Sequence, residues 1–214
     1  FGLPLLLARI MILDPKYQSF KDNYKIMIGS IVPRPIAFVS TISKDGVDNV
    51  APFSFFNGVC SNPPTISFCP VRRGTDSEIK DTLRNIQDTG VFALNIVSES
   101  FAAEMVKTAI EYPVEVSEFD KTGLTPIPCN KILAPRVSES KISFECELNQ
   151  IIEVGDGSPG SGALILGTIV LFHVDDDIYD HGRINLDLLK PIGRLAGSNG
   201  YVRITDRFDI ERKK

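Results

Sequence analysis

Short apolar runs bounded by turn residues dominate the first part of the chain and predict β-strands. The stretch before Lys44-Asp45-Gly46 is rich in β-branched and aromatic residues, so it predicts a strand that ends in a hairpin turn. The return arm, residues 47–56, contains Pro52, which cannot donate to a strand ladder and so marks an edge, a bulge or the end of regular pairing. Residues 62–64, Asn-Pro-Pro, then predict a turn into a third strand over 65–69.

Two helical patterns interrupt these strands. Apolar residues at positions i, i+4 and i+7 predict a helix over 78–88, with Ser77 as its N-cap and Gly90 at its end. A strand is predicted over 92–97. A second apolar stripe, over 101–110, predicts a second helix.

The second half of the chain predicts further strands joined by a hairpin. Residues 112–137 are rich in proline and lack a period, so we expect an excursion over the surface. The alternation over 141–149 predicts a strand with one solvated face, whereas the apolar run over 163–174 predicts a strand covered on both sides, by a helix or by another subunit. The turn-rich residues 155–162 predict a flexible hairpin tip. These elements favour a β-barrel with added helices over an alternating β-α-β fold.

Composition and charge exclude some classes of function. The chain has 214 residues, with 23 basic and 27 acidic residues and a net charge of −4, so it offers no general attraction to nucleic acid or to an anionic membrane. The apolar stretch over 3–13 is too short to span a bilayer. The cysteines form no Cys-x-x-Cys pair, which favours reduced, buried thiols in a cytoplasmic protein; they are Cys60, Cys69, Cys129 and Cys146.

The chain is expected to form a single domain over 11–214. Residues 1–10 precede the first methionine, Met11, and we interpret them as a cloning remnant, an upstream readthrough or a disordered leader.

Common catalytic signatures are absent from the sequence. It contains no Gly-x-Ser-x-Gly elbow, no His-Glu-x-x-His, no P-loop and no dinucleotide-binding fingerprint, and it has only two histidines. His173 and His181 flank an acidic loop over 174–180, whose spacing matches no calcium-binding pattern. We interpret this loop as a solvated surface and expect no metal site.

Small polar and aromatic residues at predicted strand ends and at the start of a helix suit an aromatic ligand that carries a phosphate. Hydroxyls, main-chain N–H groups and a helix N-terminus hold a phosphate without a strongly basic surface, while phenylalanines cover a ring. Taken singly, Lys80 also fits a solvated helix face and Phe55 fits a core position. The full set is Ser40, Thr41, Ser54, Phe55, Phe56, Asn57, Ser61, Lys80, Asp81 and Thr82.

Several linked motifs, in order from about Tyr24 to Tyr201, resemble the flavin reductase-like family. They are Gly29–Thr41, Asn49–Asn57, Asn62–Pro64, Lys80–Ile86 and Pro191–Tyr201. The resemblance implies the FMN-binding split-barrel fold. It also implies a homodimer with FMN in a groove at the subunit interface, which agrees with the apolar strand over 163–174.

The same resemblance implies roles for individual residues. The segment Phe53, Ser54, Phe55, Phe56 and Asn57 would contact the isoalloxazine and the ribityl chain, and Thr41 would support that segment. Lys80, Asp81 and Thr82 would hold the phosphate at the helix start. Arg34 and Arg194 are basic candidates nearby.

The activity implied is an FMN-dependent oxidoreductase that accepts hydride from NADH or NADPH. The sequence leaves the acceptor open among free flavin for a partner monooxygenase, ferric iron, another electron carrier, including an acceptor protein, and oxygen. No catalytic acid or base is required, because the flavin performs its own chemistry; His173 is a candidate for the nicotinamide side. The alternative hypothesis is a non-catalytic FMN-binding or electron-carrier protein. A barrel used only for assembly would leave the polar motifs unexplained.

Overall fold

A computed structural model describes residues 10–212 of the chain. The α-helices are α1 (Phe20–Ser30), α2 (Asp81–Thr89), α3 (Ala102–Lys107), α4 (Phe119–Thr122) and α5 (Leu186–Leu189). The longer strands are β1 (Ala37–Ile42), β2 (Asp48–Phe53), β3 (Phe56–Ser61), β4 (Pro64–Phe68), β5 (Val91–Ile96), β8 (Ile142–Val154) and β9 (Gly162–Val174). The short strands are β6 (Pro126–Ile127), β7 (Arg136–Val137), β10 (Tyr179–Asp180), β11 (Arg183–Ile184), β12 (Ile192–Arg194) and β13 (Tyr201–Arg203). Short 3₁₀ helices lie at Pro15–Tyr17, Glu99–Phe101 and Asp176–Ile178.

The main sheet closes on itself. Its seven strands pair antiparallel in the order β2-β1-β5-β8-β9-β4-β3. The two edge strands, β2 and β3, are consecutive in the chain, with only Ser54 and Phe55 between them. Three peptide links reach at most about 11 Å, so the sheet must curl until its edges meet. The predicted mainly β barrel with added helices is confirmed, and we call Ser54 and Phe55 the seam.

The two largest apolar clusters of the described residues hold the barrel together. The inner one joins Phe68, Phe92 and Ile165 to Leu83 and Ile86 of α2. Close packing there requires glycine at position 167, because a Cβ would lie 2.3 Å from the Phe92 ring. The outer cluster covers the other side of β1 and β2 with residues of α3 and α4, among them Met105 and Phe119.

The strands agree with the sequence analysis more closely than the helices do. Pro52 lies in an edge strand as expected, and the hairpin at 44–46 is confirmed. The return arm is not one element, however, because the chain bends at the seam and continues as β3. The second helix is also shorter than expected, since its α-helical part ends at Lys107 and is followed by a turn.

The predicted start of α2 is wrong. Ser77 has a φ of +66°, so it does not have the extended conformation of an N-cap. Its amide instead donates to the carbonyl of Arg73 in a turn, and the helix begins at Asp81 with Lys80 as the N-cap residue. The predicted end is confirmed, because Gly90 closes the helix with a φ of +72°.

Two expectations about solvent exposure are also wrong. Residues 112–137 do not only cross the surface, since Phe119, Leu124 and Val137 are buried in the outer cluster. The polar face of β8 is not solvated at Ser143 and Glu145, which are both buried. The reason is that the segment 130–137 packs onto that face, where the backbone N–H groups of Asn130 and Lys131 donate to Glu145. Ser143 instead donates to Asn95 of the neighbouring β5, which also accepts from the Val137 amide.

Strand β9 is covered on one face by its own chain. Ile165 and Ala163 are buried, whereas Phe172 is 51% exposed and Leu164 and Leu166 are half-buried. The residues 155–161 form the hairpin turn between β8 and β9, as expected.

The cysteines are free thiols, but the expectation that all four are buried is wrong: Cys146 is buried, Cys69 and Cys129 are partly exposed, and Cys60 is exposed. Across residues 10–212, no helix has the length and apolar character needed to cross a bilayer. Residues 1–10 were interpreted above as a remnant or a leader. Of these, residues 1–9 lie outside the described range, so this interpretation stays a prediction.

Candidate functional site

A groove of about 980 Å³ lies between α1 and the barrel seam. Its apolar wall consists of Tyr24 and Met27 of α1 and of Phe53 and Phe55 at the seam. The rings of Tyr24 and Phe55 meet edge to face, with centroids 6.2 Å apart. The hairpin turn closes one side at Gly160, where a Cβ would lie 2.9 Å from the Phe20 ring. The groove therefore lies between the barrel seam and a helix that buries only one of its side chains, Ile28.

The seam residues take their positions from the barrel. Phe53 ends β2 and packs on Phe68, with ring centroids 5.4 Å apart. Phe55 is held by its backbone, because its carbonyl accepts from the Cys69 amide at 2.9 Å. Ser54 lies between them with its hydroxyl oxygen 3.2 Å from Nε of Arg34. The structure therefore brings three predicted site residues to one wall of the groove.

Arg34 lies beneath this wall. Its guanidinium donates to the carbonyl oxygens of Ile28 (2.8 Å) and Ile31 (3.1 Å) at the end of α1. It also donates to the carbonyl of Leu195 (3.1 Å). The side chain is 3% exposed, and burial lowers the pKa of the guanidinium below its ordinary value. Arg34 thus ties α1 to the seam and does not line the groove.

Lys80 and the start of α2 lie at the other end of the groove. Lys80 lines both the groove and an adjoining cavity of about 120 Å³, which Asp81 and Thr82 also line. No side chain caps the helix there, and the Leu83 amide donates to the Lys80 carbonyl, so the N–H groups of Asp81 and Thr82 remain available to an anion. The Lys80 Nζ pairs with a Glu111 carboxylate oxygen at 3.0 Å. Arg73 adds a buried Nε that has no hydrogen-bond acceptor among the described residues.

The Asp81 carboxylate is engaged by cations at this end. It pairs with Arg84 one turn along the helix and lies 3.5 Å from Nη2 of Arg73. A carboxylate would repel a phosphate, so its pairing with two arginines leaves the helix start less negative.

Thr41 and Thr82 belong to a buried polar network. Thr82 donates to Oδ1 of Asn49 at 2.9 Å, and Thr41 accepts from the Asn85 amide at 3.0 Å. Asn49 in turn donates to both Glu118 carboxylate oxygens, at 2.8 and 2.9 Å. Burial raises the pKa of Glu118, and the nearby Asp81 raises it further, against the lowering effect of these hydrogen bonds. The hydroxyl of Thr82 is thus used inside the protein.

Sequence reasoning missed both Asn49 and Glu118 as site-supporting residues. Asn49 begins one of the quoted motifs, so that motif was its signal. Glu118 lies in the aperiodic segment over 112–137, where nothing local marks a buried carboxylate.

Arg194 shapes a loop at the groove edge. Its guanidinium donates to the carbonyls of Leu195, Gly197, Ser198 and Gly200, and it lies 4.9 Å from the centre of the Tyr201 ring. Arg194 and the loop glycine Gly197 also line the groove.

The remaining predicted residues lie outside the groove lining. Phe56, Asn57 and Ser61 belong to β3, where Phe56 packs toward the inner cluster and the other two side chains are exposed. His173 lies near the far end of β9, eleven residues from Gly162, or roughly 36 Å at the rise of a strand.

His173 contacts a buried carboxylate there. Its Nε2 lies 2.6 Å from Oε1 of Glu145, which also accepts from the backbone amides of Asn130 and Lys131. Burial opposes ionisation of Glu145, but these hydrogen bonds outweigh it and lower its pKa. The structure does not bring His173 to the groove of its own chain. Residues 10–212 contain no group of three metal-ligating side chains.

Comparison with known proteins relates this geometry to a family. Residues 28–187 match the flavin reductase like domain. The chain belongs to the flavin reductase-like family.

Solved structures of relatives agree with this assignment. Nitrilotriacetate monooxygenase component B from Bacillus cereus is 42% identical, with a TM-score of 0.89 over 94% of this chain and 98% of that one. The 2-nitrobenzoate 2-nitroreductase NbaA of Pseudomonas fluorescens is 30% identical, with a TM-score of 0.84 over 95% and 96% of the two chains. An uncharacterized protein of Halalkalibacterium halodurans is 40% identical over 94% of this chain and 96% of its own length.

Proposed function

We propose that this flavin reductase-like chain binds FMN in the groove and is an oxidoreductase that transfers electrons from NADH or NADPH to an acceptor. One observation carries the proposal: the aromatic seam lines the same groove as Lys80, the N-cap residue of a helix whose start no side chain caps. At about 980 Å³, the groove lies at the upper end of the ~300–1,000 Å³ range of ligand pockets.

The phosphate end has the donors that a phosphate requires. Lys80, the first-turn amides of α2 and the Nε of Arg73, which makes no hydrogen bond within the described residues, supply positive charge and N–H groups. Glu111 lies 3.0 Å from Lys80 and 3.6 Å from Nε of Arg73, where it neutralises both cations. A bound phosphate would compete with this carboxylate for them.

The other residues would position the ring and limit its access to water. When bound, the flavin supplies the hydride and electron transfer, so the chain needs no acid or base of its own. Phe53 and Phe55 offer an apolar surface to a planar ring, and Arg34 keeps Ser54 in place beneath it.

We infer a homodimer from the open face of β9. Leu164 lies directly opposite Ile152 in the β8–β9 pair, and Ile152 is 39% exposed. Phe172 is 51% exposed on the same hairpin. A second copy would cover these apolar side chains, as expected of an obligate interface. Light scattering of the FMN-loaded protein should give twice the chain mass of 23.6 kDa, and a stable monomer would contradict the dimer.

Among the acceptors, similarity to a monooxygenase component favours delivery of electrons to a partner oxygenase. Electron transfer is tested by anaerobic addition of NADH or NADPH to the FMN-loaded protein. We expect rapid bleaching of the flavin absorbance, because the groove is open to solvent on one side. Bleaching by dithionite but by neither nicotinamide would contradict the oxidoreductase and favour the electron carrier.

Phosphate recognition is tested by replacing one lysine. We expect Lys80→Ala to weaken FMN binding by roughly 1.5 to 3 kcal/mol, the contribution of one charged hydrogen bond, with much less effect on riboflavin. Lys44→Ala, in the exposed hairpin turn, is the matched control and should change neither affinity. Equal losses for FMN and riboflavin in the Lys80 variant would place the phosphate elsewhere.

A further inference from the structure

The groove and the cavity that adjoins it differ in charge. Every charged residue in the described lining of the groove is basic; the set is Lys21, Lys25, Arg72, Lys80 and Arg194. The adjoining cavity of about 120 Å³ shares Phe53 and Lys80 with the groove, but three carboxylates also line it: Asp81, Glu111 and Glu118. The groove therefore attracts an anion toward a cavity that already contains negative charge.

Two of these three carboxylates are held inside the protein. Glu118 is buried and accepts from the side chain of Asn49. Asp81 pairs with Arg84 one turn along α2, and its side chain is only 18% exposed. Glu111 differs, because it follows the turn that ends α3 and its side chain is 46% exposed. Of the three, Glu111 is the carboxylate that water can solvate as soon as it leaves its partners.

Glu111 contacts both cations of the proposed phosphate end. Its Oε1 lies 3.0 Å from Nζ of Lys80 and 3.6 Å from Nε of Arg73. The second distance is too long for a hydrogen bond, and the buried Nε of Arg73 makes none within the described residues. An acceptor placed closer to this N–H would satisfy a donor that Glu111 leaves unsatisfied.

Glu111 also completes the charge balance at the start of α2. Ion pairs link three basic side chains to three acidic ones there; they are Arg73, Lys80 and Arg84, and Asp76, Asp81 and Glu111. A phosphate monoester carries about two negative charges at neutral pH. Its binding beside Glu111 would leave this neutral cluster strongly negative, so the phosphate and the Glu111 carboxylate exclude each other.

Resting on the proposed FMN site, we propose that Glu111 is an intramolecular competitor of the flavin phosphate and sets how strongly the groove prefers FMN to riboflavin. In the ligand-free chain its carboxylate holds Lys80 and Arg73. The phosphate of FMN takes its place and accepts from the Arg73 Nε, while Glu111 moves into water. Riboflavin has no phosphate and leaves Glu111 where it is. The separation of Glu111 from its cations therefore weakens the binding of FMN alone.

The test compares Glu111→Gln with Glu115→Gln, an exposed position of the following loop that does not line the cavity. Quenching of flavin fluorescence by the ligand-free chain gives the Kd of FMN and of riboflavin. We expect Glu111→Gln to lower the Kd of FMN about fivefold, the upper end for a partly exposed ion pair, and to leave the Kd of riboflavin unchanged. Glu115→Gln removes the same charge at a screened position and should change neither Kd by more than ~1.5-fold.

A double variant tests whether the effect passes through the contact with Lys80. In the Lys80→Ala background, Glu111 opposes only Arg73, so the gain from Glu111→Gln should shrink to less than ~2-fold. An equal gain with and without Lys80, or an equal gain in Glu115→Gln, would reduce the effect to general charge and overturn the proposal.

The remaining outcomes separate this proposal from the proposed function. An unchanged or raised Kd of FMN in Glu111→Gln would overturn the competitor and make Glu111 a residue that positions Lys80, while the FMN site itself would stand. Failure of the wild-type chain to bind FMN would instead overturn the proposed function, and the role of Glu111 with it.

Discussion

The two walls of the groove are held in different ways. At the α2 wall, Thr82 and Asn85 project into a buried network that reaches Asn49 and Glu118. At the α1 wall, Ile28 is the one buried side chain of the helix, and the rest of its apolar surface is partly exposed. The α2 wall is therefore held by buried side-chain hydrogen bonds, whereas the α1 wall buries a single side chain.

This difference in burial suits the two walls to different ligands. A wall fixed by several buried hydrogen bonds presents its helix N-terminus in one position, which suits a tightly held group. A wall with little buried surface opens locally at low free energy, which suits a ligand that enters and leaves in each turnover. The predictions below test the contrast, from the largest expected effect to the smallest.

Removing the centre of the network should have the largest effect on stability. We expect Asn49→Ala to lower the free energy of unfolding by roughly 3 to 4 kcal/mol, because it removes the side-chain donor to the buried Glu118 carboxylate, which keeps only the Val50 amide, and the acceptor of Thr82. Chemical denaturation measures the loss. Asn149→Ala, an exposed change on β8, should cost less than ~0.5 kcal/mol. Similar losses in both variants would mean that the network does not stabilise the α2 wall.

The stability of the α1 wall should depend on the hydrogen bonds that Arg34 donates to the end of α1. We expect Arg34→Met to cost roughly 2 to 3 kcal/mol and to speed amide exchange in α1, because the carbonyls of Ile28 and Ile31 lose their donor. Hydrogen exchange measured by mass spectrometry reports each helix separately. Exchange in α2 should stay near the wild-type rate, and equal acceleration in both helices would contradict the separation of the walls.

The buried carboxylate of the α2 wall should give a pH signature. Burial raises the pKa of Glu118 above its ordinary 4.5, so the folded state holds that proton more tightly than the unfolded state. The contribution of this group to stability is therefore lost as pH rises from 4.5 through the folded pKa. We expect the free energy of unfolding of the wild type to fall more over this window than that of Glu118→Gln. The difference should be smaller than the losses expected for Asn49→Ala and for Arg34→Met. Parallel pH profiles from denaturation experiments would contradict the assignment.

The helix caps offer the smallest and most local test. Ser19 caps α1 by accepting from the Asp22 amide at 3.2 Å, whereas Lys80 makes no side-chain cap bond on α2. We expect Ser19→Ala to speed exchange of the first-turn amides of α1 about fivefold, which corresponds to a cap worth ~1 kcal/mol. Lys80→Ala should leave exchange in α2 unchanged in the absence of ligand. No change in α1 would mean that Arg34 alone sets its stability.

Much of the barrel could be predicted because its signals are local. The turn at Lys44-Asp45-Gly46, the period of α2 and its end at Gly90 all follow from neighbouring residues. The start of α2 could not be predicted in this way. Ser77 has the chemistry of an N-cap, but the turn that its amide closes with Arg73 gives it a positive φ.

The candidate site was predictable in part. Phe53, Ser54, Phe55, Lys80 and Arg194, which the linked motifs single out, lie together in the groove lining, and their contact with FMN stays a prediction. The hydrogen-bond partner of each polar side chain could not be predicted, because the sequence does not show whether a hydroxyl contacts a ligand or another residue of the protein. Thr82 is the example, since its partner Asn49 is 33 positions away.

The sequence by itself determined the order of the main strands along the chain and the acidic net charge, whereas the break in the return arm at Ser54 and Phe55 emerged only in the structure. Only the tertiary structure decided which polar groups are buried and where the positive charge collects. Glu118 lies 69 positions from Asn49, and Glu145 lies 28 from His173. A buried carboxylate is stable only when distant donors meet it, and local periodicity carries no information about donors that far away.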